Sequence, residues 1–213
     1  MQINKTKTFG MIALLCLCLG GAMLATLPLC ISYLKGSIWE FEDVEAGELK
    51  DGDLVHGVID ITDGCIAENE QTNTTFGIET SKRTTSLYYS IVAYNDQYML
   101  YQTGRQAEYD TLDALADECD RYYSDEDADA EEPQSFLEFT AVVRDMPNDL
   151  CEIVQECYGD DYTQYWESVM LVSADFTSYP RTVLIGAVCV LTGIVFLIIT
   201  IISWRKSKKQ YSY

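Results

Sequence analysis

Two uncharged, apolar stretches lie near the two ends of the chain, and they constrain the fold more than any other feature. Residues 8–34 and 182–204 contain no Asp, Glu, Lys or Arg. A helix crosses a bilayer with about 20 mostly apolar residues and satisfies its own backbone there. The first run is longer than the roughly 7–15 residues of a signal-peptide core. The sequence therefore predicts two transmembrane helices, at residues 9–34 and 182–204, the first an uncleaved anchor.

The residues that flank these helices predict the orientation of the chain. Six basic residues lie on the terminal sides of the helices: Lys5, Lys7, Arg205, Lys206, Lys208 and Lys209. Only Lys35 and Arg181 flank the other sides. Cytoplasmic segments carry an excess of Lys and Arg. We therefore expect residues 1–8 and 205–213 to be cytoplasmic tails of a multi-pass protein of the cell membrane, with residues 35–180 outside.

The segment between the two helices is strongly acidic. All 34 acidic residues of the chain lie between Glu40 and Asp175 with six basic residues, so this segment has a net charge of −28. Nucleic-acid binding needs clustered Lys and Arg, which excludes nucleic acid as a partner. Such a charge keeps a domain soluble and attracts cations, basic peptides and basic proteins.

Residues 35–180 are numerous enough for one domain with its own core. Alternating and β-branched residues predict strands at 53–61, 135–145 and 167–176, the first ended by Asp63-Gly64. Residues 87–103 read as a hairpin with its turn at Asn95-Asp96. The polar residues 68–85 are expected to form a long mobile loop.

Two further segments of this domain have the periodicity of amphipathic helices. One begins at Asp110 as N-cap, and the other begins at Asn148 as N-cap and stops at Gly159. Their apolar stripes consist of Leu112, Leu115, Cys119 and Tyr122 in the first helix, and of Leu150, Ile153, Val154 and Cys157 in the second. The order of elements predicts an α+β extracytoplasmic domain, a largely antiparallel sheet with two main helices, beside the two transmembrane α-helices.

Four stretches carry a resemblance: LKDGDLVHGVIDITDGCIAEN, YYSIVAYNDQYMLYQT, LDALADEC and FTAVVRDMPNDLCEIVQECY. In the residues and the order of these four stretches, the chain resembles a group of uncharacterised bacterial membrane proteins. The resemblance covers most of the chain. Those proteins carry a domain of unknown function between two terminal transmembrane helices. The resemblance implies this architecture and a bacterial plasma membrane, and it implies no activity, catalytic residue or cofactor.

The densest acidic run, residues 125–132, is the candidate metal site. Asp125, Asp127, Asp129 and Glu131 alternate like the first oxygen ligands of an EF-hand calcium loop. The positions of that loop that require Gly and a bidentate Glu hold Ala and Phe here. The favoured interpretation is a solvated connection between a helix and a strand, with calcium binding as the alternative.

The cysteines of the domain form a second candidate site. They are Cys65, Cys119, Cys151 and Cys157. Thiols outside the cytoplasm can be oxidised. Cys119 and Cys157 lie on the apolar stripes of their helices, so they are a candidate disulfide, with inert core thiols as the alternative. A zinc site is not expected, because the domain has no C-x-x-C pair and the chain has one histidine.

No catalytic motif is recognisable. His56 lies in a predicted strand without an identifiable partner, and the sequence contains no G-x-S-x-G, H-E-x-x-H or P-loop. The apolar helices hold no Asp, Glu, Lys, Arg or His at depth, which is typical of anchors. Small residues spaced four apart, Gly21 with Ala25 and Cys189 with Gly193, permit close helix packing.

The sequence therefore predicts a membrane-anchored protein that presents an acidic domain. We expect a non-enzymatic binding or accessory module that needs no cofactor. Its expected partners are the lipid bilayer and a membrane or envelope protein, and oligomer formation is left open. A divalent-cation binding or sensing domain is one alternative, and a hydrolase that uses His56 or carboxylates is the other.

Overall fold

The computed structural model describes residues 5–75, 78–93, 96–124 and 131–210, and it describes their side chains outside 5–6, 72–82 and 205–210. The chain divides into a helical unit, residues 1–35 with 176–213, and a sheet unit, Gly36–Asp175. In chain order the elements are α1 (Lys5–Leu24), α2 (Leu27–Leu34), β1 (Ile38–Glu40), β2 (Leu54–Ile59), β3 (Thr62–Thr75), β4 (Ile78–Val92), β5 (Tyr98–Thr103), α3 (Gln106–Tyr123), β6 (Leu137–Asp145), α4 (Asn148–Tyr158), β7 (Trp166–Ser173) and α5 (Tyr179–Gln210).

The helical unit contains both apolar segments. Lys7–Leu34 and Phe176–Trp204 are long and apolar enough to cross a membrane. The first segment is broken between α1 and α2, where Pro28 occupies the first turn of α2 and the Thr26 hydroxyl donates to the Met23 carbonyl at 2.8 Å. The two predicted helices are thus confirmed as helices, and their insertion into a membrane stays a prediction.

α1 and α5 pack against each other in antiparallel directions through glycine. A Cβ atom on Gly20 would stand 2.8 Å from the Gly186 carbonyl oxygen, and one on Gly193 would stand 3.1 Å from the Ala13 carbonyl oxygen. The backbones therefore approach as closely as small residues allow. Of the small residues expected at this contact, Gly193 lies in it, whereas a Cβ atom built on Gly21 would meet no atom of another segment within 4 Å.

The sheet unit contains one seven-stranded sheet within the described residues, in the order β1-β2-β6-β7-β5-β4-β3. The β1–β2 and β5–β7 pairs are parallel, and the other pairs are antiparallel. The predicted α+β class is confirmed, and the sheet is mixed. The β5–β7 pair is parallel because β7 enters the sheet between β6 and β5, a long-range pairing that no local turn motif predicts.

Two sequence predictions about this sheet are wrong. Most of the polar segment 68–85, expected as a loop, forms strands β3 and β4, with register shifts along their pairing. Threonine supports this arrangement, since its β-branched side chain suits an extended backbone even without apolar alternation. Asp63-Gly64 does not end a strand: Gly64, at φ +98°, lies inside β3 at a register shift.

The helix boundaries also differ from those expected. α3 begins at Gln106 after Arg105, so Asp110 lies inside the helix and caps nothing. α4 begins at Asn148, with Pro147 in the N-cap position and no side-chain cap. The predicted stop at Gly159 is confirmed, with a φ of +93° that suits glycine.

The helices α3 and α4 cover opposite faces of the sheet. On the first face, α3 contributes Leu112, Leu115 and Cys119 to a core with Tyr89, Tyr101, Phe139 and Leu171. On the second face, α4 contributes Leu150 and Val154 to a smaller core with Leu100, Met146, Trp166 and Met170. The central strands β5 and β7 are therefore buried on both sides, which explains why they contain runs of consecutive apolar residues.

Candidate functional site

A cavity of about 580 Å³ lies at the C-terminal end of α3. Its wall combines the last turns of α3 with the start of β3 and the facing ends of β4 and β5. It consists of Ile61, Thr62, Asp63, Val92, Tyr98, Ala116, Cys119, Asp120, Tyr123 and Ser124. The volume falls within the range of about 300–1,000 Å³ that is usual for ligand sites.

Local interactions at the start of β3 shape this wall. The Thr62 hydroxyl donates to the Ser90 carbonyl and accepts the Gly64 backbone N–H at 3.1 Å. Gly64 takes a positive φ there, and a Cβ atom on it would stand 3.5 Å from the Cβ of Ala116. The bulged backbone is thus held against α3, and this contact places Asp63 beside the end of the helix.

Carboxylates and tyrosines dominate the polar lining, and no Lys, Arg or His lines the cavity within the described residues. The Tyr158 hydroxyl donates to Asp63 Oδ2 at 3.0 Å, which fixes that carboxylate. Tyr98 is stacked on Trp166, with ring centroids 5.5 Å apart and an interplanar angle of 19°. Asp120 is exposed on the last turns of α3.

Burial and nearby negative charge shift the titration of the groups that line the cavity. Burial, and then the Asp63 carboxylate, raise the pKa of Tyr98 above its ordinary value. Burial chiefly raises the pKa of the Cys119 thiol, and the carboxylates of Asp63, Glu118 and Asp60 add to the shift. The Tyr98 hydroxyl and the Cys119 thiol are therefore protonated at neutral pH, and the cavity contains negative charge from its carboxylates.

The segment that follows the acidic run is hydrogen-bonded to α3. Glu118 accepts hydrogen bonds from the backbone N–H groups of Gln134 and Ser135 and from the Ser135 hydroxyl, each at 2.8 Å. These bonds lower the pKa of Glu118, and the bond from the Ser135 backbone N–H lowers it most.

Of the predicted metal ligands, Asp125, Asp127 and Asp129 lie outside the described residues, and Glu131 is exposed. The described part of the chain contains no group of three or more side chains that could hold a metal ion.

The two cysteines of the candidate disulfide lie on different helices. Cys119 is buried on α3, Cys157 is exposed on α4, and both thiols are free. Since α3 and α4 cover opposite faces of the sheet, the structure does not bring these thiols together. Cys119 instead lines the cavity. The disulfide stays a prediction that a measurement on the protein has to test.

His56 has partners that were not identifiable in the sequence. Its Nδ1 lies 3.2 Å from Glu40 Oε2, and its Nε2 lies 3.3 Å from Glu138 Oε1. β1 brings Glu40 opposite His56 in register, and β6 brings Glu138 within diagonal reach. The three-residue strand β1 has no periodicity to detect, which is why the sequence did not indicate this group.

Comparison with protein-family models, with curated proteins and with solved structures finds no match for this chain. The resemblance to bacterial membrane proteins therefore stays a prediction, together with the membrane and the cell type that it implies.

Proposed function

We propose that the chain is a two-pass membrane protein that presents its sheet unit outside the cell membrane as a non-enzymatic binding module. Two apolar helices support the anchoring. The excess of Lys and Arg on the terminal sides of these helices supports cytoplasmic ends. Since both ends are then anchored, the sheet unit stays close to the bilayer, where a membrane or envelope protein is the accessible partner.

The cavity at the end of α3 is the binding site in this proposal, and its ligand is a basic side chain of the partner. The observation that carries the proposal is a lining of carboxylates and tyrosines without a base among the described residues. An ammonium or guanidinium group is stabilised by carboxylate oxygens and by the faces of aromatic rings within about 6 Å. The net charge of −28 between Glu40 and Asp175 attracts basic surfaces over a longer range.

A divalent-cation binding domain and a hydrolase are the alternative proposals. The first rests on the acidic run, of which Glu131 alone among the predicted ligands is described. The second would need a nucleophile or a water activated by a base, and both ring nitrogens of His56 face carboxylates. Within the described residues, neither alternative has an observation in its favour comparable to the cavity.

In-cell photocrosslinking with mass spectrometry tests the proposal. A photoreactive residue replaces Tyr123, which lines the cavity, and in a parallel sample it replaces Phe136, which is 60% exposed and is not among the lining residues. We expect one dominant membrane or envelope partner from position 123 and not from position 136. Recovery of the protein alone, or of the same proteins from both positions, would contradict the binding-module proposal.

Charge reversal at matched positions tests the role of the cavity. Asp120→Lys places a base in the cavity wall, whereas Asp117→Lys makes the same change at an exposed position of α3 outside the wall. We expect Asp120→Lys to reduce crosslinking from position 123 at least about tenfold, a loss of ~1.4 kcal/mol of binding free energy. Asp117→Lys should retain most of the crosslinking from position 123. Equal effects of the two variants would show general electrostatic attraction without a defined site.

A further inference from the structure

The single histidine of the chain joins three neighbouring strands. His56 lies on β2, between Glu40 on β1 and Glu138 on β6, with its two ring nitrogens 3.2 Å and 3.3 Å from the respective carboxylate oxygens. The histidine side chain is 39% exposed, and the two glutamate side chains are 63% and 71% exposed. The group therefore responds to the pH of the surrounding solution.

This geometry favours a charged imidazole. An imidazolium donates a hydrogen bond from both nitrogens, whereas the neutral ring donates from one and presents a lone pair on the other. In the neutral state one of the two glutamates would thus face a lone pair, whichever tautomer forms. Protonation of His56 is the only state of the ring that satisfies both contacts at once.

The charged groups that act on His56 come from the two strands beside it. They are Glu40 from β1 and Glu138 from β6. The hydrogen bond from Glu40 raises the pKa of His56 most, burial opposes this shift, and Glu138 adds to it, so the folded-state pKa lies above 6.5. Because the folded-state pKa of His56 lies above its unfolded value, the contact contributes its full stability below about pH 6.5. This contribution is lost as the pH rises through the folded-state pKa.

The strand that His56 holds has few other attachments to the sheet. β1 has three residues, lies at the edge of the sheet and pairs with β2 alone within the described residues. Glu40 is its last residue and leads directly into the turn that carries the buried Phe41. Loss of the Glu40 contact therefore acts on the start of the sheet unit.

We propose that Glu40, His56 and Glu138 form a pH-sensitive clasp that fastens β1 to the sheet under acidic to neutral conditions and loosens it under alkaline conditions. The inference concerns the attachment of β1 and does not depend on the proposed binding function. Because exposed ion pairs are individually weak, the clasp changes the local opening of β1 and leaves the rest of the sheet closed.

Two measurements on the full chain in detergent micelles, without a histidine tag, test this inference. The imidazole of His56 gives the only histidine signal in an NMR spectrum, and a titration from pH 5 to pH 9 yields its pKa. Hydrogen exchange of a peptide that covers β1, corrected for the intrinsic pH dependence of exchange, yields the opening of the strand. We expect a pKa above 6.5 and a protection of β1 that falls about three- to tenfold from pH 6 to pH 9.

Variants separate the clasp from general effects of pH. The double variant Glu40→Gln with Glu138→Gln should return the His56 pKa towards about 6.5, and His56→Gln should make the protection of β1 independent of pH. Arg144→Gln is the matched control, because it breaks the 3.2 Å contact between Arg144 and Asp51 and spares the clasp. A wild-type His56 pKa at or below 6.5, or a β1 protection equal at both pH values, would overturn the inference.

Discussion

Phe41 lies directly on Gly57: a Cβ atom built on this glycine would stand 2.3 Å from the Cβ of Phe41. Phe41 is fully buried and packs edge-on against Phe139, with ring centroids 5.3 Å apart. Gly57 therefore occupies a strand position where a side chain has no room. The contact joins the segment after β1 to the first core.

Gly57→Ala should destabilise the sheet unit, because its methyl group displaces Phe41. We expect a loss of about 1–3 kcal/mol in the free energy of unfolding and at least about 3 kcal/mol for Phe41→Gly, which removes the ring and the Cβ atom. In the double variant position 41 has no Cβ atom, and this absence leaves room for the methyl group at position 57. Chemical denaturation of all four proteins should therefore give strongly non-additive losses, and additive losses would contradict the contact.

The sequence predicted the elements that have a local signal. The strands β2, β6 and β7, the β4–β5 hairpin and the two apolar helices follow from alternation, run length and the absence of charge. The extended pairing of β3 with β4 was missed, because its polar, threonine-rich residues have the composition of a loop. The parallel pairs, the partners of His56 and the cavity depend on contacts between distant segments, which neither spacing nor periodicity encodes.

Adjacent glycines in α1 should differ in their tolerance of a methyl group. Gly20→Ala would place Cβ 2.8 Å from the Gly186 carbonyl oxygen, whereas the position of Gly21 is open. We expect Gly20→Ala to cost about 1–3 kcal/mol of helix-pair stability and Gly21→Ala to be neutral or slightly stabilising. Unfolding of the full chain by a denaturing detergent measures both. Equal effects would show that α1 uses a different face.

Glu108 should be a major contributor to the stability of the sheet unit. Its side chain, 12% exposed, accepts hydrogen bonds from Tyr101 (2.9 Å), Arg105 (2.9 Å), Ser173 (3.2 Å) and Thr103. Glu108→Ala leaves these donors without their acceptor, and we expect a loss of about 2–4 kcal/mol. Asp110→Ala, an exposed change on α3, should cost under ~0.5 kcal/mol. A thermal or chemical unfolding curve in detergent distinguishes the two variants.

The hydrogen bonds that join Glu118 to Gln134 and Ser135 should weaken in acid. The hydrogen bonds from Ser135 and Gln134 hold the pKa of Glu118 below 4.5. Because the folded-state pKa of Glu118 is lowered, its hydrogen bonds contribute stability above the unfolded-state pKa. This contribution is lost as the pH falls through the folded-state pKa. Glu118→Gln should therefore have a lower unfolding midpoint than the wild type at pH 7, and the difference should vanish towards pH 3. Glu156→Gln, an exposed change on α4, is the control. If the unfolding midpoints of Glu118→Gln and the wild type differed by the same amount at all pH values, the stabilising role of the Glu118 hydrogen bonds would be contradicted.

The two cysteines of the candidate disulfide should react at very different rates with a membrane-impermeant maleimide. Cys157 is exposed, whereas Cys119 is 4% exposed and burial raises the pKa of its thiol. Since the thiolate is the nucleophile, we expect Cys157 to be modified at least about tenfold faster. Peptide mass spectrometry after labelling of intact cells reports both rates, and Cys157→Ser identifies the modified peptide. Modification of Cys157 in intact cells would support an external sheet unit. If neither cysteine reacts before reduction and both react after it, the two cysteines are oxidised in the cell. The free thiols of the structure would then not represent the cellular state.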